Sequence, residues 1–268
     1  MLYLIKFGGN AISNDEDLSR LCEEIWDMID NGSKIILVHG GGPEISAEME
    51  RLGLKPEKIN GVRVTDAEGL EVVSKVLKKI NERITDALYE ADVSNIGMPG
   101  YLCTLCKKLD PVQYMENGIN KTADLGLVGE VVDVDTDMLN DLVEAGVVPV
   151  IYPIGSDGVV YLNVNADTMA AGIAAKMECD EMIAITDVPG VLRDVRDLSS
   201  KYDKLTVKEV LALIKDGTIS GGMIPKVEAC INAVRAGARA VRMVNGKDPN
   251  KIISDIADEN NKGTIITE

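Results

Sequence analysis

Several charged side chains in this chain stand beside glycine-rich turns, and each turn follows an apolar run. Lys6 leads into Phe7-Gly8-Gly9-Asn10. Glycine allows tight turns and close backbone approach, so its N–H groups can face phosphate oxygens, and a strand-end lysine adds a full positive charge. His39-Gly40-Gly41-Gly42-Pro43 follows another apolar run. Three glycines before a helix-starting proline make a helix N-terminus suited to anions. His39 reads equally well as a packed strand-end residue and receives no catalytic role. Gly221-Gly222-Met223-Ile224-Pro225-Lys226 puts a lysine in the first turn of a helix. The helix dipole disfavours a cation there, and a bound anion would offset the cost. Arg63, within Gly61-Val62-Arg63-Val64-Thr65, offers two parallel donors to a carboxylate. In Asn163-Val164-Asn165-Ala166-Asp167 the carboxylate is either a helix cap or an acid that holds lysines in place. Thr186-Asp187-Val188-Pro189-Gly190-Val191-Leu192 suits the adenine or ribose edge of a nucleotide. None of these runs is Gly-x-Gly-x-x-Gly or Gly-x4-Gly-Lys-Ser/Thr, which counts against a classical dinucleotide fold, an NAD-dependent dehydrogenase and a P-loop enzyme.

Taken singly, each cluster has a plainer reading: a surface lysine, a glycine turn without a ligand, a surface arginine. Their combination is more specific, and it requires elements that bring them together. Apolar runs at 2–5, 35–38, 93–96, 147–152, 159–162, 182–186, 240–244 and 264–267 read as strands, and 125–134 as strand or hairpin around Gly129. Helical spacing covers 18–29, 43–52, 65–88, 138–145, 167–177, 206–215 and 225–236. Thr65…Glu68 and Thr206…Glu209 have capping-box spacing. Strands alternating with helices predict an α/β protein: a three-layer αβα sandwich around an open, mainly parallel sheet, with ligands outside the carboxyl ends of the strands. A weak division near residue 160 separates two lobes of one compact domain, 1–160 and 161–268.

Composition sets the outer bounds. The 268 residues are 46% apolar but only 3% aromatic, so aliphatic side chains must build the core. The net charge of −16 argues against nucleic acid as a partner, and any anion site must gather its own cations. The five cysteines are an odd, scattered set rather than a disulfide framework. Cys103-Thr-Leu-Cys106 is spaced like half a zinc site but lacks a second pair, and the single histidine lies far off. The first residues carry no basic stretch of a signal peptide, and no apolar run reaches the roughly 20 residues of a membrane span. A cytoplasmic location is expected.

From Lys6-Phe7-Gly8-Gly9-Asn10-Ala11 to Gly263-Thr264-Ile265, the chain resembles the amino-acid kinase superfamily and, within it, the acetylglutamate kinases. Val38 to Pro43, Gly61 to Asp66, Asp124-Leu125-Gly126-Leu127-Val128-Gly129-Glu130, Asn163 to Asp167 and Gly221 to Lys226 carry the resemblance. It implies ATP-dependent phosphorylation of the side-chain carboxylate of N-acetyl-L-glutamate to an acyl phosphate, in arginine biosynthesis. Lys6 and Lys226 would neutralise the transferring phosphoryl group, with Asp167 orienting both. Gly8, Gly9 and Gly41 would donate N–H groups to phosphate oxygens. Gly41, Gly42, Arg63 and Asn163 would hold the acidic substrate. Asp187, Val188, Pro189, Gly190, Val191 and Leu192, with Thr218, Ile219 and Ser220, would line the ATP pocket. Mg2+ would ride on the ATP phosphates, with no dedicated protein metal site. The lobe 1–160 would bind the acidic substrate and dimerise, and 161–268 would bind ATP. A homodimer insensitive to arginine is expected, because the chain lacks the helix that precedes the first strand in arginine-inhibited members; a PII-type regulator has no support in the sequence. Gly97-Met98-Pro99-Gly100-Tyr101 departs from the family's Gly-Lys-Asp-Gly pattern near the acceptor site. The alternatives are a related kinase acting on carrier-protein-linked aminoadipate or glutamate or on another small carboxylate, and a non-catalytic nucleotide-binding regulator. The presence of Lys6, Asp167 and Lys226 together favours an enzyme.

Overall fold

A computed structural model describes residues 1–8, 14–116, 118–194, 196–246, 253 and 263–268. The elements run β1 (Leu2–Phe7), α1 (Asp15–Asp30), β2 (Lys34–His39), α2 (Gly42–Arg51), β3 (Lys58–Ile59), β4 (Val62–Arg63), α3 (Ala67–Glu90), β5 (Asn95–Pro99), β6 (Thr104–Lys108), β7 (Val112–Glu116), β8 (Ile119–Ala123) and β9 (Val128–Val134). They continue with α4 (Thr136–Glu144), β10 (Val148–Tyr152), β11 (Ile154–Ser156), β12 (Tyr161–Val164), α5 (Ala166–Lys176), β13 (Glu181–Thr186), β14 (Lys204–Thr206), α6 (Val207–Lys215), α7 (Met223–Arg235), β15 (Val241–Asn245) and β16 (Thr264–Thr267).

Eight strands form the central sheet in the order β14-β16-β15-β13-β1-β2-β10-β5. All neighbours are parallel except β15 and β16. The expected mainly parallel sheet is therefore present. Alternation along its strands separates two cores, because successive side chains leave a strand on opposite faces. Leu4, Ile36, Val38, Met182, Ala184, Val241 and Met243 face one way, onto the small residues of α5 and the apolar stripe of α7. Tyr3, Ile5, Phe7, Ile35, Leu37, Ile183 and Ile185 face the other way, onto α1 and α3. Burial on both faces explains why these strands read as continuous apolar runs. A smaller cluster of Ile45, Met49, Val72, Val73, Leu77 and Ile154 fixes α2 against α3.

A second sheet, β11-β12-β9-β6, draws on strands from either side of residue 160. Two hairpins, β3–β4 and β7–β8, complete the strands. β6, β7 and β8 lack sustained apolar alternation and were not legible in the sequence: β7 and β8 bury little, so no periodic pattern is imposed on them. Gly129 lies inside β9 rather than at a turn, and glycine is required there because a side chain would meet Leu162 at 2.8 Å.

The caps correct two expectations. Asp66, not Thr65, caps α3 by accepting from Gly69 N–H at 2.7 Å. Asn165, not Asp167, caps α5, accepting from the N–H of Asp167 at 2.7 Å and of Thr168 at 3.3 Å. Thr206 and Glu209 form the expected capping box on α6. No helix among the described residues is long and apolar enough to cross a membrane.

Candidate active site

Parallel neighbours β13, β1 and β2 end together, and their carboxyl ends deliver the expected clusters to one place, the crevice where open α/β sheets bind ligands. Lys6 at the end of β1 meets Asp167 from the first turn of α5, Nζ to Oδ1 2.6 Å. Because Asn165 does the capping, the Asp167 carboxylate is released for this ion pair while still lying where the helix dipole favours an anion. The Lys6 side chain is 12% exposed.

Lys226 differs from expectation in its partner. α7 begins at Met223, two residues before the expected start, and Lys226, its fourth residue, closes the first turn. Its ammonium pairs with Asp187 in the turn after β13, and not with Asp167. Each lysine thus has its own carboxylate. Both lysines and Asp167 nevertheless border one cavity of about 230 Å³, lined also by Thr186 and the apolar side chains beneath them. Cys230 lies in its floor, with a thiol pushed up to about 12 by burial, raised further by Asp167 and opposed by Lys6. All five cysteines are buried and free.

A second cavity, of about 290 Å³, shares Lys6 and Asp167 with the first and extends to Gly40, Gly41, Gly42, Lys58, Arg63 and Asn163. The glycines are of two kinds. A side chain on Gly41 would meet Ile80 at 2.5 Å, so α3 demands glycine there, whereas Gly42 faces open space. The N–H groups opening α2 have no intrahelical partner and remain available to an anion. Gly8 does not offer its N–H as expected: that group donates to Ile185 O at 3.1 Å and closes the strand end. Gly9 lies outside the described residues.

Arg63 is 6% exposed. Its Nη2 donates to Ser46 Oγ (2.8 Å) and Gly42 O (3.2 Å), and Nη1 lies 3.2 Å from Met49 Sδ. Burial lowers its pKa. Among the described residues no carboxylate lies within ion-pair distance of it. A buried guanidinium without an anion is costly, by several kcal/mol per ion. Asn163 is held beside it through Thr65: Asn163 Nδ2 donates to Thr65 Oγ1 (2.9 Å), which donates to Arg63 O (3.0 Å). Thr65 in turn pairs with the Asp124–Glu130 run, accepting from Leu127 N–H at 2.7 Å and donating its own N–H to Leu125 O at 2.9 Å. Gly126 adopts φ +80° beneath it, where a side chain would meet Thr65 O at 2.3 Å. Three separate sequence motifs are thereby stitched into one wall.

The expected adenine-side residues divide. Asp187 is exposed and pairs with Lys226, and Val188 and Pro189 are half-buried. Val191 (0% exposed) and Leu192 (8%) belong to the core, as does Ile219 (2%). Gly190 and Val191 pack on Thr264, whose hydroxyl accepts from Val191 N–H at 2.8 Å. These residues shape the loop rather than face its opening. Thr218 donates its N–H to Asp216, and Ser220 is exposed. Lys58 was missed by sequence reasoning and lines the larger cavity; its signal was its place in a hairpin with Arg63.

His39 is fully buried. Its Nδ1 donates to Gly40 O (2.9 Å) and its Nε2 accepts from Asn81 Nδ2 (3.1 Å), which fixes the neutral tautomer. Burial lowers its pKa to about 4. It is a satisfied structural residue. Gly97–Tyr101 packs rather than lining either cavity: Gly97 gives room to Asn81, Gly100 to Met169, and Tyr101 lies on Tyr161 with ring centroids 4.8 Å apart.

A strand-end lysine, a helix-borne lysine and a buried, anion-seeking arginine around two joined cavities define an α/β protein that handles phosphate and carboxylate together. The Amino acid kinase family model matches residues 1–245, and the chain belongs to this family. It is 43% identical over 267 residues to the acetylglutamate kinase of Methanococcus maripaludis strain C5, covering 98% of this chain and 91% of that protein. In three dimensions it is similar to N-acetylglutamate synthase from Neisseria gonorrhoeae (TM-score 0.79, 19% identity), covering 100% of this chain but only 59% of that one. It is also similar to Giardia carbamate kinase (TM-score 0.70, 17% identity; 100% of this chain, 98% of that one). These two structural likenesses show the shared fold.

Proposed function

We propose that the protein transfers the γ-phosphoryl group of ATP to the side-chain carboxylate of N-acetyl-L-glutamate, giving an acyl phosphate and ADP in the route to arginine. The observation that carries this reading is Arg63: a buried guanidinium, without a carboxylate partner among the described residues, in the same cavity as Lys6 and Asp167. A bound substrate carboxylate would supply its missing counter-charge. The 43% identity to an acetylglutamate kinase over nearly the whole chain supports the same acceptor.

The chemistry needs little from the protein beyond position and charge. The acceptor carboxylate is already a nucleophile, so no general base is required. One of its oxygens bonds to the γ-phosphorus while the bond from that phosphorus to the bridging oxygen breaks, and ADP leaves with the electron pair. Lys6 and Lys226 approach this charge from two sides, and Asp167 and Asp187 hold their ammonium groups in place. Such cationic stabilisation acts mainly in the transition state. Mg2+ would be carried on the ATP phosphates and offset part of their charge. Gly41, Gly42, Arg63 and Asn163 would hold the acceptor, and Asp187, Val188 and Pro189 with Thr218 and Ser220 the nucleotide. The lobe 1–160, joined by Asn163 from just past its boundary, would serve the acceptor and 161–268 the ATP. A homodimer accords with the partly exposed sheet-edge strand β5, where Ile96 is 43% exposed. A cytoplasmic location accords with such a biosynthetic role.

ADP release by the purified protein with Mg-ATP tests the reaction, with hydroxylamine present to trap acyl phosphate. Hydroxamate formation with N-acetylglutamate, and not with glutamate or N-acetyl-aminoadipate, is expected. Silence with all three acceptors would refute it.

A further inference from the structure

The hairpin β3–β4 turns through Asn60 (φ +50°) and Gly61 (φ +80°), a two-residue connection with both φ positive, as the primed hairpin turns require. This turn sets the register, and Lys58 stands directly opposite Arg63. The next rung outward is hydrogen-bonded, Val64 N–H to Glu57 O at 3.0 Å, so the Lys58–Arg63 rung is the closer, non-hydrogen-bonded kind. Opposed residues of a hairpin project from the same face, and like charges there destabilise the pair. Both side chains line the larger cavity. Neither has a carboxylate within ion-pair distance among the described residues, in a chain with a formal charge of −16. The hairpin tip is tethered by Asn60 Nδ2, which donates to Gln113 O at 2.9 Å.

Two opposed cations facing one cavity call for an anion between them. Lys6 and Lys226, which serve the phosphoryl group, already have carboxylates of their own. We infer that Lys58 and Arg63 together clamp the carboxylate of the acceptor that does not react, Arg63 from the buried side and Lys58 from the exposed mouth. The clamp makes Lys58 a substrate-binding residue that selects acceptors with a second carboxylate. This inference rests on the proposed reaction but concerns binding, and the two can fail separately.

The test uses Lys58→Met and Lys58→Arg, with N-acetylglutamate and with 4-acetamidobutyrate, which lacks the second carboxylate. Lys58→Met is expected to raise KM for N-acetylglutamate about tenfold or more, the loss of one well-formed ion pair. KM for ATP, kcat and the melting temperature should stay near wild type, and Lys58→Arg should recover most of the loss. Wild type and Lys58→Met should treat 4-acetamidobutyrate alike. An unchanged KM for N-acetylglutamate would overturn the clamp, as would a fall in kcat alone or an equal loss with 4-acetamidobutyrate. Calorimetric titration of N-acetylglutamate without ATP separates the two readings. Binding that weakens in Lys58→Met would uphold the clamp even if no hydroxamate forms, whereas equal binding by both proteins would overturn it even if turnover is seen.

Discussion

Lys6 Nζ lies 2.6 Å from Asp167 Oδ1, a residue 161 positions further along the chain, across the gap between the end of one strand and the start of a helix. The pair exists because Asn165 takes over the cap of that helix and leaves the Asp167 carboxylate unspent. Asp167→Asn should keep the fold, since the amide can still meet the lysine. It should lower kcat by about 10² to 10³, the cost of losing one preorganised electrostatic group, with a smaller change in KM for ATP. Steady-state kinetics of the purified variant decide this, and an unchanged kcat would remove Asp167 from the machinery.

Lys226 has a separate partner, so its effects should separate from those of Asp167. Lys226→Met should reduce turnover by orders of magnitude. Asp187→Ala should chiefly raise KM for ATP, because it frees the ammonium without removing it. The Asp167→Asn/Asp187→Ala double variant should show losses close to additive, as expected for residues without a shared partner. Strong non-additivity would mean that one carboxylate orients both lysines after all.

Arg63 is held by neutral groups alone among the described residues, and its desolvation is uncompensated without ligand. Arg63→Met should leave the empty protein as stable as wild type or more so, since replacing a buried charge by a similar apolar volume is often neutral or favourable. It should abolish stabilisation by N-acetylglutamate, which in wild type should amount to about 2.7 kcal/mol at 100 times Kd. Thermal melts with and without the ligand report both effects.

His39 ties stability to pH. Its folded pKa of about 4 lies below the unfolded value of 6.5, so between those values the unfolded chain binds a proton that the folded one refuses. Its contribution is therefore complete above about pH 6.5 and lost progressively as pH falls towards 4, up to about 3 kcal/mol in all. His39→Gln keeps hydrogen-bonding groups and removes the titration. Urea midpoints of the two proteins should converge as pH drops from 7 to 5 in the sense that wild type loses more. Parallel curves would contradict the buried neutral imidazole.

Gly97 is a packing requirement rather than an acceptor contact. A side chain there would meet Asn81 Oδ1 at 2.1 Å, and Asn81 Nδ2 donates both to His39 Nε2 and to Val150 O. Gly97→Ala should destabilise by about 1–3 kcal/mol, as overpacking of a tight site does. Urea unfolding measures it, and a neutral result would show that Asn81 can yield.

Most strands and helices of the central sheet were legible because burial on both faces writes long apolar runs, and helices write their period beside them. The β7–β8 hairpin was not, since strands that bury almost nothing, such as Ile119–Ala123, carry no such pattern. In the site, the glycine turns, Lys6, Arg63, Asp167 and Lys226 announced themselves by residue type next to strand ends. The sequence could not tell that Gly8 spends its N–H on Ile185 or that Val191 and Leu192 turn inward, because both depend on which strand lies alongside.

The amino-acid order by itself therefore determined the αβα layering, the ends of β1, β2 and β13 as the place of chemistry, and the charged groups that gather there. Periodicity and turn chemistry are local properties, and they survive in one dimension. Only the tertiary structure decided which carboxylate holds which lysine, that Arg63 is buried with no carboxylate partner among the described residues, and that Lys58 faces it. Those relations compare distances and burial between segments far apart in the chain, and a one-dimensional pattern holds no record of them.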